Sequence, residues 1–503
     1  MLDVLSLLLH GLSVSLLPYN LLACVLGVVI GTLVGVLPGI DTISTIALLL
    51  PFSYGLDSTP ALIMFAGIYY GSKYGGSTTA ILLNVPGEGS AMVTCLDGYP
   101  MAQKGRAGAA LAVSAIGSFI AGTVGVIGLT FLAPPLAQAA LAFGPPEYFS
   151  LAMVGLLILA KLTGASALKS ALMAVLGIML GAVGMDSLSG VSRLTFNIGE
   201  MDRGIDLSII AMGLFGIGEL LTTLTQPEVR PAMPSVRLRD LYPTGEEWRR
   251  SLPPIFRGSI MGFFIGLLPG PTGTISSFSS YALEKRCSRN PEEFGKGAIE
   301  GVAGPEAANN SVTSGAMVPL LSLGLPFCAS TAILLSGFMI HGIVPGPALI
   351  TEHPDLFWGL IASMYIGNVL LLIINLPLIG MFVQLLKTPL NILMPLVGAV
   401  TLTGAYVVNN SVADILWVIV FGVVGFLLRR SGFEPAPLII GLVLGPEMER
   451  GLVQSLIILD GNIWALFQRP ISGFILLIGA GWVLYPGVKW LVNVSKRKRQ
   501  IGQ

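Results

Sequence analysis

The stretch that most constrains this chain runs from Ala66 to Pro100, AGIYYGSKYGGSTTAILLNVPGEGSAMVTCLDGYP. It is too apolar for a surface loop and too broken by Gly, Pro and small hydroxyl residues for one plain membrane-spanning helix. Gly71, Gly75 and Gly76 precede Ser77, Thr78 and Thr79; a short apolar run then reaches Asn84, and Pro86-Gly87 ends it. In hydrocarbon, freed backbone N–H and C=O groups are tolerated only where protein buries them or a wet cavity meets them. The expected form is a pair of half-helices meeting near the bilayer midplane, where transporters hold their substrates. The plan recurs from Ser314 to Gly346. Ile81-Leu82-Leu83-Asn84-Val85-Pro86 is echoed by Leu321-Ser322-Leu323-Gly324-Leu325-Pro326, and Ser90-Ala91 by Ser330-Thr331.

A second pair of breaks lies upstream. Gly31-x-x-x-Gly35-x-Leu37-Pro38-Gly39 returns 231 positions later as Gly262-x-x-x-Gly266-x-Leu268-Pro269-Gly270. One Gly-x-x-x-Gly alone indicates only close helix packing. Two copies, each ending in Leu-Pro-Gly and each followed by a second interrupted segment, indicate an internal repeat. The second copy is nine residues longer between its prolines, and the charged insert Glu284–Glu300 absorbs the difference.

Composition sets the class. Hydrophobic residues make up 53% and charged residues 11% of 503, with mean hydropathy +0.82; a soluble domain carries about 25% charged residues. The chain reads as an integral membrane protein. A formal net charge of zero argues against nucleic acid as a partner. Cys24, Cys95, Cys287 and Cys328 are scattered without Cys-x-x-Cys, and His10, His341 and His353 form no ligand-spaced cluster. No cofactor is expected, and the absence of a nucleophile–base motif argues against an enzyme.

In order, residues 1–18 are expected to form an interfacial segment, because Asp3 stands where a signal peptide needs a cation. Residues 19–225 form a first transmembrane repeat. Its apolar runs lie near 108–133, 147–162, 166–185 and 205–224, with Pro134-Pro135 and Pro145-Pro146 as breaks. Residues 226–254, rich in arginine, are a linker that the positive-inside rule puts in the cytoplasm. A second repeat fills 255–460, and 461–503 hold a last helix and a basic cytoplasmic tail ending in Lys496-Arg497-Lys498-Arg499. The expected fold is an all-α polytopic membrane protein. Its two homologous halves are inverted repeats, each with broken helices or re-entrant hairpins meeting near the midplane.

Particular strings carry a family resemblance. They include Gly35-Val36-Leu37-Pro38-Gly39, Gly67-Ile68-Tyr69-Tyr70-Gly71, Tyr74-Gly75-Gly76-Ser77, Leu83-Asn84-Val85-Pro86-Gly87-Glu88 and Thr94-Cys95-Leu96-Asp97-Gly98-Tyr99-Pro100. The second half adds Pro291-Glu292-Glu293-Phe294-Gly295-Lys296 and Pro305-Glu306-Ala307-Ala308-Asn309-Asn310. Nearly the whole chain resembles the large membrane subunit of the tripartite tricarboxylate transporters, the TctA family. The resemblance implies a multi-pass protein of the bacterial inner membrane that imports citrate or a related carboxylate by cation symport. It also implies two partners, a small four-helix membrane subunit and a periplasmic substrate-binding protein. The chain departs from the family pattern at Ile40-Asp41-Thr42, Lys73 and Phe327, all beside the proposed site.

Half-helix N-termini offer free N–H groups and partial positive charge to an anion. The candidate substrate-binding residues are therefore Asn84, Pro86, Gly87, Ser90, Lys73, Ser77, Thr78, Gly324, Pro326, Ser330, Thr331 and Asn310. Ser77-Thr78-Thr79 and Ser311–Ser314 are expected at helix starts, as is Gly87–Ser90. Candidates for a coupling ion, Na+ or H+, are Pro38, Gly39, Asp41, Glu88, Pro269, Gly270 and Thr272. Na+ is the single metal considered. Each charge has a plainer alternative: Asp41 and Glu88 as helix caps, Lys73 as a snorkelling cation, Asn309 and Asn310 as turn formers. Lys104, Arg106 and the arginines of 230–257 are topology determinants. Two other readings stay open, a stand-alone carboxylate symporter and a passive organic-anion channel.

Overall fold

The computed structural model describes residues 2–37, 42–162, 166–186, 189–225, 242–375, 377–378, 381 and 390–482. The first half holds α1 (Leu2–Ser15), α2 (Pro18–Val36), α3 (Thr42–Leu49), α4 (Ser58–Leu83), α5 (Met92–Gln103), α6 (Ala107–Ala140), α7 (Pro145–Leu162) and α8 (Ala167–Gly181). A π-turn then joins α9 (Leu207–Ala211) to α10 (Gly218–Thr225). The second half holds α11 (Gly245–Gly266), α12 (Thr272–Cys287), α13 (Glu300–Leu323), α14 (Ala329–Ile340), α15 (Leu349–Glu352) and α16 (Pro354–Asn375). It continues with α17 (Leu390–Asn409), α18 (Val412–Arg430), α19 (Ala436–Ile458) and α20 (Pro470–Trp482). One two-stranded ribbon pairs Gly184–Met185 with Ser192–Arg193.

Among the described residues, five helical spans are long and apolar enough to cross a membrane: α2, α6, the continuous α9–α10, α16 and α18. The chain is a multi-pass, all-α membrane protein. At its centre stand α4 and α13, buried from Pro60 to Leu83 and from Glu300 to Leu323. Their Lys, Glu, Asn, Ser and Thr side chains explain the position, because polar groups facing lipid are costly. The more apolar helices stand between them and the bilayer.

Each central helix has one intimate partner. A Cβ added to Gly27, Gly31 or Gly35 of α2 would strike the backbone carbonyls of Met64, Ile68 and Ser72 on α4. One added to Gly258, Gly262 or Gly266 of α11 would strike those of Gly304, Ala308 and Val312 on α13. The glycines are offset by 231 and the carbonyls by 240, so one helix pair is built twice in the same register. The nine extra residues fall between α11 and α13, where the charged insert lies.

Several boundaries differ from expectation. The glycines of 71–76 do not interrupt α4, which runs unbroken to Leu83. Gly75 faces the Thr32 carbonyl across the α2 contact, and packing this close outweighs glycine's poor helix propensity. Ser77-Thr78-Thr79 and Ser311–Ser314 therefore lie within helices, not at their starts. The helix α6 continues through Pro134-Pro135 to Ala140. The N-terminal α1 packs on α16, with Gly11 against the Trp358 backbone and the Ser15 hydroxyl donating to the Gly359 carbonyl at 2.6 Å. Residues 226–241 of the linker and 483–503 of the tail lie outside the described residues; Gly245 onward belongs to α11.

Candidate functional site

The site is built by two loops that turn inward. Each central helix ends in the left-handed conformation, at Asn84 (φ 58°) and at Gly324 (φ 72°). Asn and Gly are the residues that accept it. Proline follows two residues later, and the chain folds back along the helix it has just left. Gly87 lies against Gly76, with a Cβ there barred by the Gly35 carbonyl. At a rise of 1.5 Å per residue, Gly76 is about 12 Å inward of Asn84. Glu88 and Cys328 then precede outward-going helices in closely similar extended conformations, φ −152° and −138°. The start of each following helix contacts the opposite half, Glu88 meeting Asn309 and Cys328 meeting Tyr69.

The first hairpin carries the charge. Lys73, the one buried lysine or arginine among the described residues, places Nζ 2.6 Å from Glu88 Oε2. Glu88 Oε1 accepts from the Ser90 hydroxyl at 2.5 Å and from Asn309 Nδ2, on α13, at 3.1 Å. The Asn309 Oδ1 is buried without a hydrogen-bond partner, beside Ser90 and Gly273. The second hairpin repeats the crossing with other residues: Tyr69 Oη, on α4, lies 3.9 Å from Cys328 Sγ. Under the offset of 240, Tyr69 corresponds to Asn309 and Glu88 to Cys328. The two inter-half contacts are therefore reciprocal, as a two-fold relation requires.

The direction of the helices follows from the same contacts. From Glu88 to Gly98 the chain climbs α4, from Gly76 to Ile81. Over the same residues it descends α13, from Asn309 to Glu306 at Thr94 and to Gly301 at Asp97. Hence α4 and α13, though counterparts in register, run antiparallel.

A second carboxylate lies one turn from Asn309. Glu306 is fully buried and contacts the hydroxyls of Ser77 and Thr94. In the sequence Glu306 stands only within the family-like string Pro305-Glu306-Ala307-Ala308-Asn309-Asn310. The signal that marks it is a lone carboxylate among the small apolar residues and asparagines of 301–316. Asn309 and Thr94 reach the site through contacts more than 200 residues apart in sequence, which no local pattern shows.

The remaining candidates divide. Ser77, Ser90, Lys73 and Glu88 gather here, and Thr78 is buried on the same helix. Asn310 donates to Ser118 Oγ at 2.6 Å and to the Glu306 carbonyl at 3.0 Å. Asn84 is exposed at the end of α4, and Pro86 lies half-buried on the returning loop. Thr331 caps α14 through the Cys328 backbone, and Ser330 is half-buried beside it. Gly270 (φ 136°) donates its N–H to the Phe327 carbonyl at 2.8 Å, tying Pro269-Gly270 to the second hairpin; Thr272 is buried just beyond. Pro38, Gly39 and Asp41 lie outside the described residues.

Gly324 and Pro326 line a cavity of about 790 Å³ at the opposite end from Asn84, together with Tyr148, Arg193, Arg203 and Arg450. Basic residues cluster at the Asn84 end as well. Arg106 pairs with Glu247, Lys104 donates to the Lys296 carbonyl, and Arg250 pairs with Glu293 and Glu300.

Two relatives from Agrobacterium vitis carry names that state no function. An uncharacterized 52.8 kDa protein in the TAR-I ttuC' 3'region is 47% identical over 484 residues, 96% of both chains. An uncharacterized protein in the TAR-II ttuC' 3'region is 47% identical over 240 residues, 48% of this chain and 98% of the relative. No solved structure matches. The model of the tripartite tricarboxylate transporter TctA family matches residues 21–440, and the chain belongs to that family.

Proposed function

We propose that this chain is the large membrane subunit of an importer that takes a carboxylate, citrate or a related organic acid, across the bacterial inner membrane. A periplasmic binding protein delivers the substrate and a small four-helix subunit completes the membrane part. Transport is alternating access driven by cation symport. The observation that carries the reading is that a helix start from each half reaches the same part of α4, Glu88 at Lys73 and Cys328 at Tyr69, whose ring centre lies 5.9 Å from Lys73 Nζ. Inversion of the halves is supported by the antiparallel run of α4 and α13 together with their shared register. A two-fold relating two antiparallel membrane-crossing helices lies in the membrane plane, the arrangement of many secondary transporters.

The Lys73–Glu88 pair suggests how substrate and cation depend on each other. Lys73 is held by Glu88, so an arriving carboxylate must displace Glu88 to reach it. Glu88 then needs a cation of its own, since an unpaired buried carboxylate is costly. Ser90 and the open Asn309 Oδ1 lie where further oxygen and hydroxyl contacts are needed. Gly87, Pro86 and Asn84 line the way from one face, and Gly324 and Pro326 the way from the other.

The test is uptake into proteoliposomes holding both membrane subunits, with the binding protein added. Carboxylates are scanned with and without imposed Na+ and pH gradients. The expected result is accumulation that needs both a cation gradient and the binding protein. Equilibration without a gradient makes the chain a channel; uptake without the binding protein makes it a stand-alone carrier.

A further inference from the structure

We propose that Glu306 is a proton-binding site, holding its proton in the state described here and exchanging it during the transport cycle. The inference deepens the symport reading by naming the coupled cation and its carrier.

A serine hydroxyl has one proton to donate and two lone pairs to accept with. Ser77 Oγ lies 3.0 Å from the Lys73 carbonyl, an acceptor only, and its single proton cannot serve that carbonyl and a carboxylate both in full. The same oxygen is in close contact with Glu306 Oε2. Without a proton on Glu306, Ser77 is the donor to it and the carbonyl goes without that hydrogen; a proton on Glu306 lets the carboxyl donate to Ser77 while the Ser77 hydroxyl serves the carbonyl. Thr94, whose hydroxyl meets Glu306 Oε1, is then free to donate. The chain Thr94, Glu306, Ser77, Lys73 carbonyl closes with every hydrogen placed.

The surrounding charges lead to the same assignment. From α4, Lys73 faces the region but is taken by Glu88, which lies on the loop before α5. From α5, Cys95 and Asp97 approach; Asp97 is satisfied by the backbone N–H groups of Gly295, Gly297 and Ala298 and by Tyr281 Oη of α12. From α12 and α11, Glu284 pairs with Arg257. From α6, Ser114 and Ser118 offer hydroxyls only. No cation is left to balance Glu306 among the described residues, so ionising it would leave a bare charge at the core of the protein. Its place on α13 is one turn from Asn309, the residue that touches Glu88 from across the halves. A proton gained or lost there alters the field at the Lys73–Glu88 pair, which the substrate must open.

The experiment uses the full chain reconstituted with its small membrane subunit. Infrared spectra of wild type and Glu306→Gln at neutral pH are expected to differ by the carbonyl band of a protonated carboxyl, present in the wild type alone. Ser77→Ala, which removes the acceptor, is expected to shift that band. A wild type without the band, or an unshifted band in Ser77→Ala, overturns the proposal. In transport, an inward carboxylate gradient is expected to acidify wild-type vesicles. Glu306→Gln is expected to lose that proton movement. Proton movement at the wild-type level in Glu306→Gln overturns it as well. The infrared arm needs no transport, so failure of the importer reading shows as absent uptake in every sample with the band unchanged.

Discussion

The two inward-turning loops share a backbone and differ in nearly every polar residue they carry. Both leave their helix through a left-handed residue and both turn outward again at an extended one. The first brings Glu88 to Lys73 and Asn309; the second brings Cys328 to Tyr69. Lys73 corresponds to Thr313, so the second copy has neither the cation nor the carboxylate. The first is sealed by its ion pair, whereas the second opens on a cavity of about 790 Å³ through Gly324 and Pro326. If the halves are inverted as we propose, the shared frame gives two equivalent entries to the centre, and the differing side chains make one of them charged.

The largest effect expected from breaking this asymmetry is at Lys73. Lys73→Met strands Glu88 in a buried environment, and removing one member of a buried pair costs about 3–5 kcal/mol. Thermal unfolding of the purified protein is expected to show that loss, and Lys73→Met combined with Glu88→Gln is expected to regain most of it. Equal losses in the single and double variants would mean that the pair does not hold the first loop.

Next come the glycines that the halves share. Gly31→Val and Gly262→Val each force a side chain into a backbone carbonyl of the partner helix. Overpacking of this kind costs roughly 1–3 kcal/mol. Denaturation is expected to show comparable losses for both; a silent variant at one position would separate the two helix pairs.

The smallest effect concerns the ends of the central helices. Asn84→Gly keeps the left-handed turn and is expected to change stability by no more than about 0.5 kcal/mol. Uptake by the same variant separates turn from ligand. Loss of a hydrogen bond to a charged group weakens affinity by roughly 10-fold or more, whereas unchanged affinity assigns Asn84 to the turn alone.

Much of this frame is legible in the sequence because it rests on local chemistry. The Pro269-Gly270 break, the Asn84 and Gly324 turns and the nine-residue insert are all read from spacing. The continuity of α4 and α13 is not, since glycine in isolation signals a break and only the carbonyls of Thr32 facing Gly75 and of Phe263 facing Gly315 show its use. Glu306 is hidden for another reason. Its meaning comes from Ser77 and Thr94, which lie 229 and 212 residues away in sequence. Lys73 and Glu88 are read individually as candidates, but their pairing depends on how far inward the loop folds.

The central claim is that the halves are inverted about α4 and α13, so that equivalent loops open to opposite sides. Single cysteines test it most directly, in a background lacking Cys24, Cys95, Cys287 and Cys328. Asn84 is exposed at the end shared with Arg106 and Glu247, and Val344 is 78% exposed beside the Gly324 turn. In intact cells, a membrane-impermeant thiol reagent is expected to label Val344→Cys from the periplasm and to reach Asn84→Cys only after the membrane is opened. Labelling of both positions from the same side would contradict the account.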